Sequence, residues 1–280
     1  MGLSSNILQQ IEYPAINQSM ENHLIEFIMY CSCIPGAQAS RHVDHIAAIT
    51  GIPQPSLNVV MRANLDEPTI LTRIEEIMVP FKDRRVPMLW WIFPGTKPLK
   101  LGEYLIQSGL LASGIEPGMA IELDQLPTDV IYPAGFSIEE VASDESLQEW
   151  ISVSARAFGG ETATIDPNYI RFERCLGWGK ELPYRRFLGR LNGKAVATSS
   201  IFLGTEVVGL YSVGTLPEIR RQGIGSIMSI EPLSVARALG YNISVLQASP
   251  AGYNVYRQIG FRECCRIQHY IWAPGEETYS

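Results

Sequence analysis

The stretch "VGLYSVGTLPEIRRQGIGSIMSIEP", residues 208–232, constrains this chain more than any other. An apolar, β-branched run stops at Leu216-Pro217. Arg220, Arg221 and Gln222 then stand directly against Gly223 and Gly225, after which an apolar pattern resumes at helical spacing. A strand leading through a glycine turn into a helix exposes backbone N–H groups with no internal acceptor, at the positive end of the helix dipole. Glycines keep the approach to those amides free of Cβ atoms. Such a junction is an anion site, and a pyrophosphate fits it. The fold class that follows is α/β, with the site at a strand-to-helix turn.

Two familiar phosphate-binding patterns do not match. A dinucleotide fingerprint needs a third glycine where Met228 stands and an acidic residue after the next strand. A Walker loop needs Gly-Lys-Ser/Thr. What remains is Arg220-x-x-Gly223-x-Gly225, then a helix, a strand, and "YRQIGF" from Tyr256 to Phe261.

The elements around this core are readable from punctuation and periodicity. "DQLPTDVIYPAG", residues 124–135, reads as a linker near the middle of the chain. After it come a strand "FSIEEVA", a helix "ESLQEWISVSARAF" and a helix opened by Asp166 and Pro167. A meander of three strands follows, its first turn at Asn192-Gly193. Beyond the glycine turn the pattern predicts a helix to about Leu239, a strand "NISVLQAS", a short helix through "AGYNVYRQI" and two final strands, "FRECC" and "IQHYIWA". Pro232 is expected to kink the first of these helices near Met228. The first half echoes this order with "LNVVMRANL", "EPTILTRIEEIMVPF", "MLWWIFPG", "KLGEYLIQSGLL" and "GMAIEL", so an internal duplication is expected. It lacks the glycine turn: "NLDEPTILTRIEE" passes from strand to helix with no glycine.

The loop Arg220-x-x-Gly223-x-Gly225 and the later Tyr256-x-x-x-Gly260-Phe261 resemble the GNAT superfamily of N-acetyltransferases, over Phe136 to the C-terminus. The resemblance implies tandem GNAT-like domains of class α/β (α+β), each a mixed, mostly antiparallel sheet flanked by helices. Residues 1–125 would be a degenerate copy and 126–280 the catalytic domain. It further implies acetyl-CoA as co-substrate. The pantetheine would lie along Val213, Gly214 and Thr215, and the pyrophosphate on Arg221, Gln222, Gly223, Ile224, Gly225 and Ser226. Arg220 stands within reach of phosphate. Ser249 replaces an asparagine often found in the family and Gly252 an alanine, which shortens one side-chain contact to the cofactor. Tyr256 would be the general acid, since a phenol of ordinary pKa about 10 stays protonated at neutral pH. The usual glutamate is missing from the strand that ends at Thr215. Asp166, Glu173, Glu206 or a water relay is left to take the amine proton.

Composition narrows the partners. The net charge of −7 argues against nucleic acid and anionic membrane. The first twenty residues lack the features of a secretory signal, and no run of about 18 apolar residues occurs, so a cytoplasmic location is expected. The five cysteines read as core thiols of a reducing compartment. "CSC" at 31–33 and "HVDH" at 42–45 suggest zinc, but Cys-x-Cys is not the usual knuckle. On a strand, His42 and His45 would also face opposite sides, so no metal is expected and the histidines read as surface residues. Glu139, Glu140, Asp144, Glu145 and Glu149 predict a negative rim that attracts a cationic acceptor. The GNAT resemblance implies a primary amine of a small molecule or peptide as the acceptor, and a homodimer is compatible with the sequence. The competing reading is a non-catalytic acetyl-CoA sensor or interaction module.

Overall fold

The computed structural model describes residues 7–160 and 163–275. In chain order the first elements are α1 (Ala15–Cys31), β1 (Gln38–Arg41), β2 (Ile46–Ile49), β3 (Asn58–Met61), α2 (Ile70–Arg84), β4 (Met88–Ile92), α3 (Leu101–Gln107) and β5 (Leu111–Glu122). Next come β6 (Phe136–Glu140), α4 (Asp144–Gly159), α5 (Pro167–Cys175), β7 (Tyr184–Leu191), β8 (Lys194–Leu203) and β9 (Val208–Thr215). The last are α6 (Ile224–Ala238), β10 (Ile243–Gln247), α7 (Tyr253–Ile259) and β11 (Arg262–Trp272). The chain divides into two compact units that interleave in sequence. One joins residues up to His23 to Met119–Glu263; the other joins Leu24–Gly118 to the residues from Cys264 onward.

In the first unit the strands run in the order β10-β9-β8-β7-β6. β6 through β9 pair antiparallel, and β10 lies parallel to β9. The hairpin between β7 and β8 turns on Asn192 and Gly193, both at positive φ, as a two-residue loop that matches strand twist requires. α4 starts where Ser143 caps it reciprocally with Ser146, and Asp144 and Glu145 occupy the first turn, where negative charge suits the dipole. Its buried face, Leu147, Trp150, Ile151, Val153 and Ala157, follows helical spacing. Trp150 donates its indole N–H to the Ser199 carbonyl at 3.1 Å, which satisfies the one polar atom of a fully buried ring. Asp166 Oδ1 accepts from the Asn168 amide at 2.7 Å to cap α5, with Pro167 in the first turn as the sequence predicts. α6 contains Pro232 without interruption of the helix.

In the second unit β1, β2 and β3 form an antiparallel meander, β4 is parallel to β3, and β11 is antiparallel to β4, with Tyr270 opposite Trp90. Ile74, Met78 and Phe81 of α2 and Leu101 and Leu105 of α3 pack with Trp90 and Tyr270 in one apolar core. Gly102 is there because the Tyr270 hydroxyl approaches so closely that no Cβ fits. The two final strands expected from sequence are one strand, β11. No glycine or proline interrupts Arg262–Trp272, so the ladder continues. α1, β1 and β2 were not legible in the sequence.

Candidate active site

The glycine turn lies in a cavity of about 570 Å³ in the first unit. One wall is the C-terminal half of β9, with Val213, Gly214 and Thr215. The floor is the turn and the start of α6, with Arg220, Arg221, Gly223, Ile224, Gly225 and Ser226. The opposite wall holds Ser249, Gly252 and Tyr256, and α4 contributes Ala157 and Phe158. Every expected cofactor-binding residue except the exposed Gln222 meets Tyr256 in this one cavity, whereas the candidates for the base, Asp166, Glu173 and Glu206, stand outside its wall.

Three features of the backbone shape this cavity. First, the parallel pairing of β10 with β9 runs over Ser244↔Val208 and Val245↔Gly209 and stops there. Farther along β9, beyond that register, Val213, Gly214 and Thr215 line the cavity, an edge suited to an extended ligand that adds like a strand. Second, the register of β8 against β9 shifts between Thr198 and Ser200, opposite Ser212 at φ 52°. Thr198 Oγ1 donates to the Ser212 carbonyl at 3.0 Å and braces this bulge. Third, Arg221 and Gly223 both adopt positive φ, at 63° and 77°. Among the described residues, the N–H groups of Arg221, Gln222, Gly223, Ile224 and Gly225 have no acceptor in the protein. Successive free amides at a helix start form a nest for an anion.

The two glycines of the turn have different reasons. Gly223 needs its left-handed φ, which costs other residues roughly 1–2 kcal/mol. At Gly225 a Cβ would meet no protein atom within 4 Å, and no positive φ requires glycine. The space that a side chain would fill there is the cavity itself, so neither backbone nor packing explains this glycine.

Arg220, exposed at the cavity wall, is tied to the backbone. Its guanidinium donates from Nη2 to the Ala157 carbonyl at 2.8 Å and from Nε to the Thr215 carbonyl at 3.2 Å, tying the turn to the ends of α4 and β9. Ser249 uses its Oγ to accept from the Gly252 amide at 3.2 Å, starting α7. Gly252 is required because a Cβ would stand 2.7 Å from the Tyr256 ring. Tyr256 packs edge-on against Phe261, and Gly260 ends α7 at φ 117°, which accounts for the Tyr-x-x-x-Gly-Phe pattern. Burial pushes the Tyr256 phenol up to about 12, so it holds its proton at neutral pH.

Among the described residues, no carboxylate lines this cavity. Of the three candidates for the base, Asp166 caps α5 and Glu173 is bound to Arg186 in a buried pair. Glu206 precedes β9 at its far end, seven residues from Val213, or roughly 23 Å along an extended strand. The acidic rim is also largely neutralised. Arg190 bridges Glu139 and Glu149, Arg185 pairs with Glu140, and Arg174 binds Asp144 through both carboxylate oxygens. The expected negative field at α4 has lost its source.

Sequence reasoning missed His23, which α1 buries beside β9. Its Nε2 lies 3.0 Å from the Phe202 carbonyl, which only accepts, so Nε2 carries the proton and Nδ1 accepts from the Tyr211 hydroxyl at 3.0 Å. Burial lowers its pKa to about 4. Tyr211, two residues before Val213, is thereby held in place. The two partners are 188 positions apart in the chain, and nothing in either local sequence marks the contact.

Residues 145–261 match the family model described as the acetyltransferase (GNAT) family. Solved structures are similar over nearly the whole chain. A GCN5-related N-acetyltransferase from Kribbella flavida is 18% identical with a TM-score of 0.69, covering 93% of this chain and 95% of its own. One from Sphaerobacter thermophilus is 14% identical with a TM-score of 0.58, covering 97% of both. A tandem GNAT protein from the clavulanic acid biosynthesis pathway is 14% identical with a TM-score of 0.56, covering 96% of this chain and 97% of its own. At these identities the likeness is one of fold. No curated protein matches the chain. Residues 145–261 thus match the GNAT acetyltransferase family, and the chain as a whole shares its fold with N-acetyltransferases of that kind, a tandem GNAT protein among them.

Proposed function

We propose that this chain binds acetyl-CoA in the cavity of the glycine turn and transfers the acetyl group directly to a primary amine of a small molecule or peptide. The observation that carries this reading is the run of five unpartnered amides from Arg221 to Gly225, with Gly225 open toward the cavity. The pyrophosphate would rest on those amides and on Ser226, and the pantetheine along the free edge of Val213–Thr215. Acetyl-CoA supplies the activated acetyl group. Tyr256, neutral and with no hydrogen-bond partner among the described residues, holds a proton at its phenol oxygen for the departing sulfur. Arg220 positions the turn through backbone carbonyls and stands at the cavity wall within reach of phosphate. The amine proton leaves through water, since among the described residues no carboxylate faces the cavity. Residues 1–125, without a glycine turn, form a copy that binds no acetyl-CoA, and 126–280 form the catalytic half. Among the described residues no helix is long and apolar enough to cross a membrane, which fits a cytoplasmic enzyme.

The test is acetyl-CoA offered with a panel of polyamines, amino acids, aminoglycosides and peptide N-termini, followed by detection of free thiol. Thiol release with one amine class, and one acetyl-CoA site per chain by calorimetry, supports the reading. Binding without turnover on any amine leaves a sensor instead, and two sites per chain overturns the assignment of the first half.

A further inference from the structure

A second cavity, of about 170 Å³, lies in the unit of Leu24–Gly118, between the β1–β2 hairpin and α2. Ala47, Ile49, Ile77 and Phe81 make one side apolar. The other side holds the two histidines that the sequence places on opposite faces of a strand. They occupy the hairpin turn instead, where the His42 amide donates to the His45 carbonyl at 2.8 Å and the rings stack at 4.3 Å, 12° from parallel. His45 is not a surface residue: it is 5% exposed.

The protonation of His45 is set by its neighbours. Nδ1 lies 2.8 Å from Asp44 Oδ1. Arg73 donates to both oxygens of Asp44, at 2.7 and 3.2 Å, and its remaining Nη1 binds Glu76 at 2.7 Å. The guanidinium beside Asp44 holds its carboxyl well below the usual carboxylate range, so Asp44 only accepts and Nδ1 carries the imidazole proton. Nε2 is then a lone-pair acceptor, buried at the cavity wall, with no protein partner among the described residues. Burial draws the imidazole pKa below its ordinary value, which keeps that lone pair free at neutral pH. Asp44 and Glu76 share one guanidinium, so the cluster retains a negative charge.

We propose that this cavity is a binding site for a small organic cation, an alkyl- or arylammonium. Its N–H donates to His45 Nε2 beside the Glu76 carboxylate, and its apolar body lies against Ala47, Ile49, Ile77 and Phe81. Phosphates and carboxylates are excluded because Arg73 is committed to Asp44 and Glu76. A metal ion lacks ligands, since no three His, Cys, Asp or Glu side chains converge among the described residues. The site is separate from the glycine turn and does not depend on the reading of that turn.

The test is a titration of the full chain, without acetyl-CoA, with N,N-dimethylbenzylamine at pH 7.5. This tertiary amine carries one N–H when protonated and forms no stable amide, so the catalytic half leaves it unchanged. The imidazole Cε1–H resonances are followed by NMR. The expected result is a saturable shift of the His45 resonance, no shift with benzoate, and at least tenfold weaker binding in both His45→Phe and Glu76→Gln. The Glu76 side chain is 57% exposed, so Glu76→Gln folds and decides the matter if His45→Phe does not. No saturable shift, equal binding of benzoate, or unchanged binding in Glu76→Gln overturns the proposal.

Discussion

Arg186 and Glu173 form an ion pair inside the first unit, with Nη2 donating to Oε2 at 2.6 Å and side chains 1% and 3% exposed. Arg186 also donates to the Gly177 carbonyl at 2.7 Å and lies over the Tyr184 ring. This pair makes a sequence candidate for the general base a structural residue. Breaking a buried pair leaves an uncompensated charge, so Glu173→Ala should destabilise the protein by about 3–5 kcal/mol. Urea denaturation measures the loss. Acetyl transfer per folded molecule should change by no more than a few fold; a fully stable but inactive variant would return Glu173 to the chemistry.

Tyr256→Phe removes the proton donor and keeps the ring that packs on Phe261. Acetyl-CoA affinity should stay within a few fold while the chemical step slows by roughly 10²–10⁴. Single-turnover kinetics separates the two, and an unchanged rate would assign the proton to water.

Gly225→Ala separates fold from ligand. Alanine in the first turn of α6 meets no protein atom and improves helix propensity by up to about 1 kcal/mol. The variant should melt at or above the temperature of the parent and bind acetyl-CoA at least tenfold more weakly, because the methyl group enters the anion nest. Gly223→Ala, held at φ 77°, should lose stability as well as binding.

His23 predicts an acid limb of stability. Its folded pKa, about 4, lies below the unfolded value of 6.5, so between these pH values the unfolded chain binds the extra proton and folding weakens as pH falls. The contribution is fully present above pH 6.5, is lost progressively toward pH 4, and amounts to roughly 3 kcal/mol. Urea midpoints across this range give the slope, which His23→Gln should flatten.

The arginine partners of the α4 acids predict that charge steering is weak. The kcat/KM of the best acceptor amine should vary little between 0.05 and 0.5 M salt, because paired surface charges project little field. A steep fall with ionic strength would show that the rim acts as a bare acidic patch.

The glycine turn, Tyr256 with Gly260-Phe261, the Asp166-Pro167 helix start and the Asn192-Gly193 hairpin were all legible in the sequence. Each depends on chemistry confined to a few consecutive residues: a positive φ, a missing Cβ, a missing N–H, a cap. Arg220 shows where that legibility ends. The sequence puts a cation beside a phosphate site, and the fold turns it toward two carbonyls, one of them 63 positions away. The same holds for Gly252, which the sequence offers as a departure from a pattern and the fold explains by the Tyr256 ring.

The sequence by itself determined the order of elements in the second half and the position of the anion nest, because both arise from local backbone preference. Only the tertiary structure decided which acids are neutralised, since Arg190 meets Glu139 and Glu149 across 51 and 41 positions. It alone decided that His23 anchors Tyr211, that β11 pairs with β4, and that His45 is buried with an open nitrogen. A contact between distant residues is selected by the summed burial and pairing of the whole chain, and that selection leaves no periodicity or spacing in either segment for a sequence reading to find.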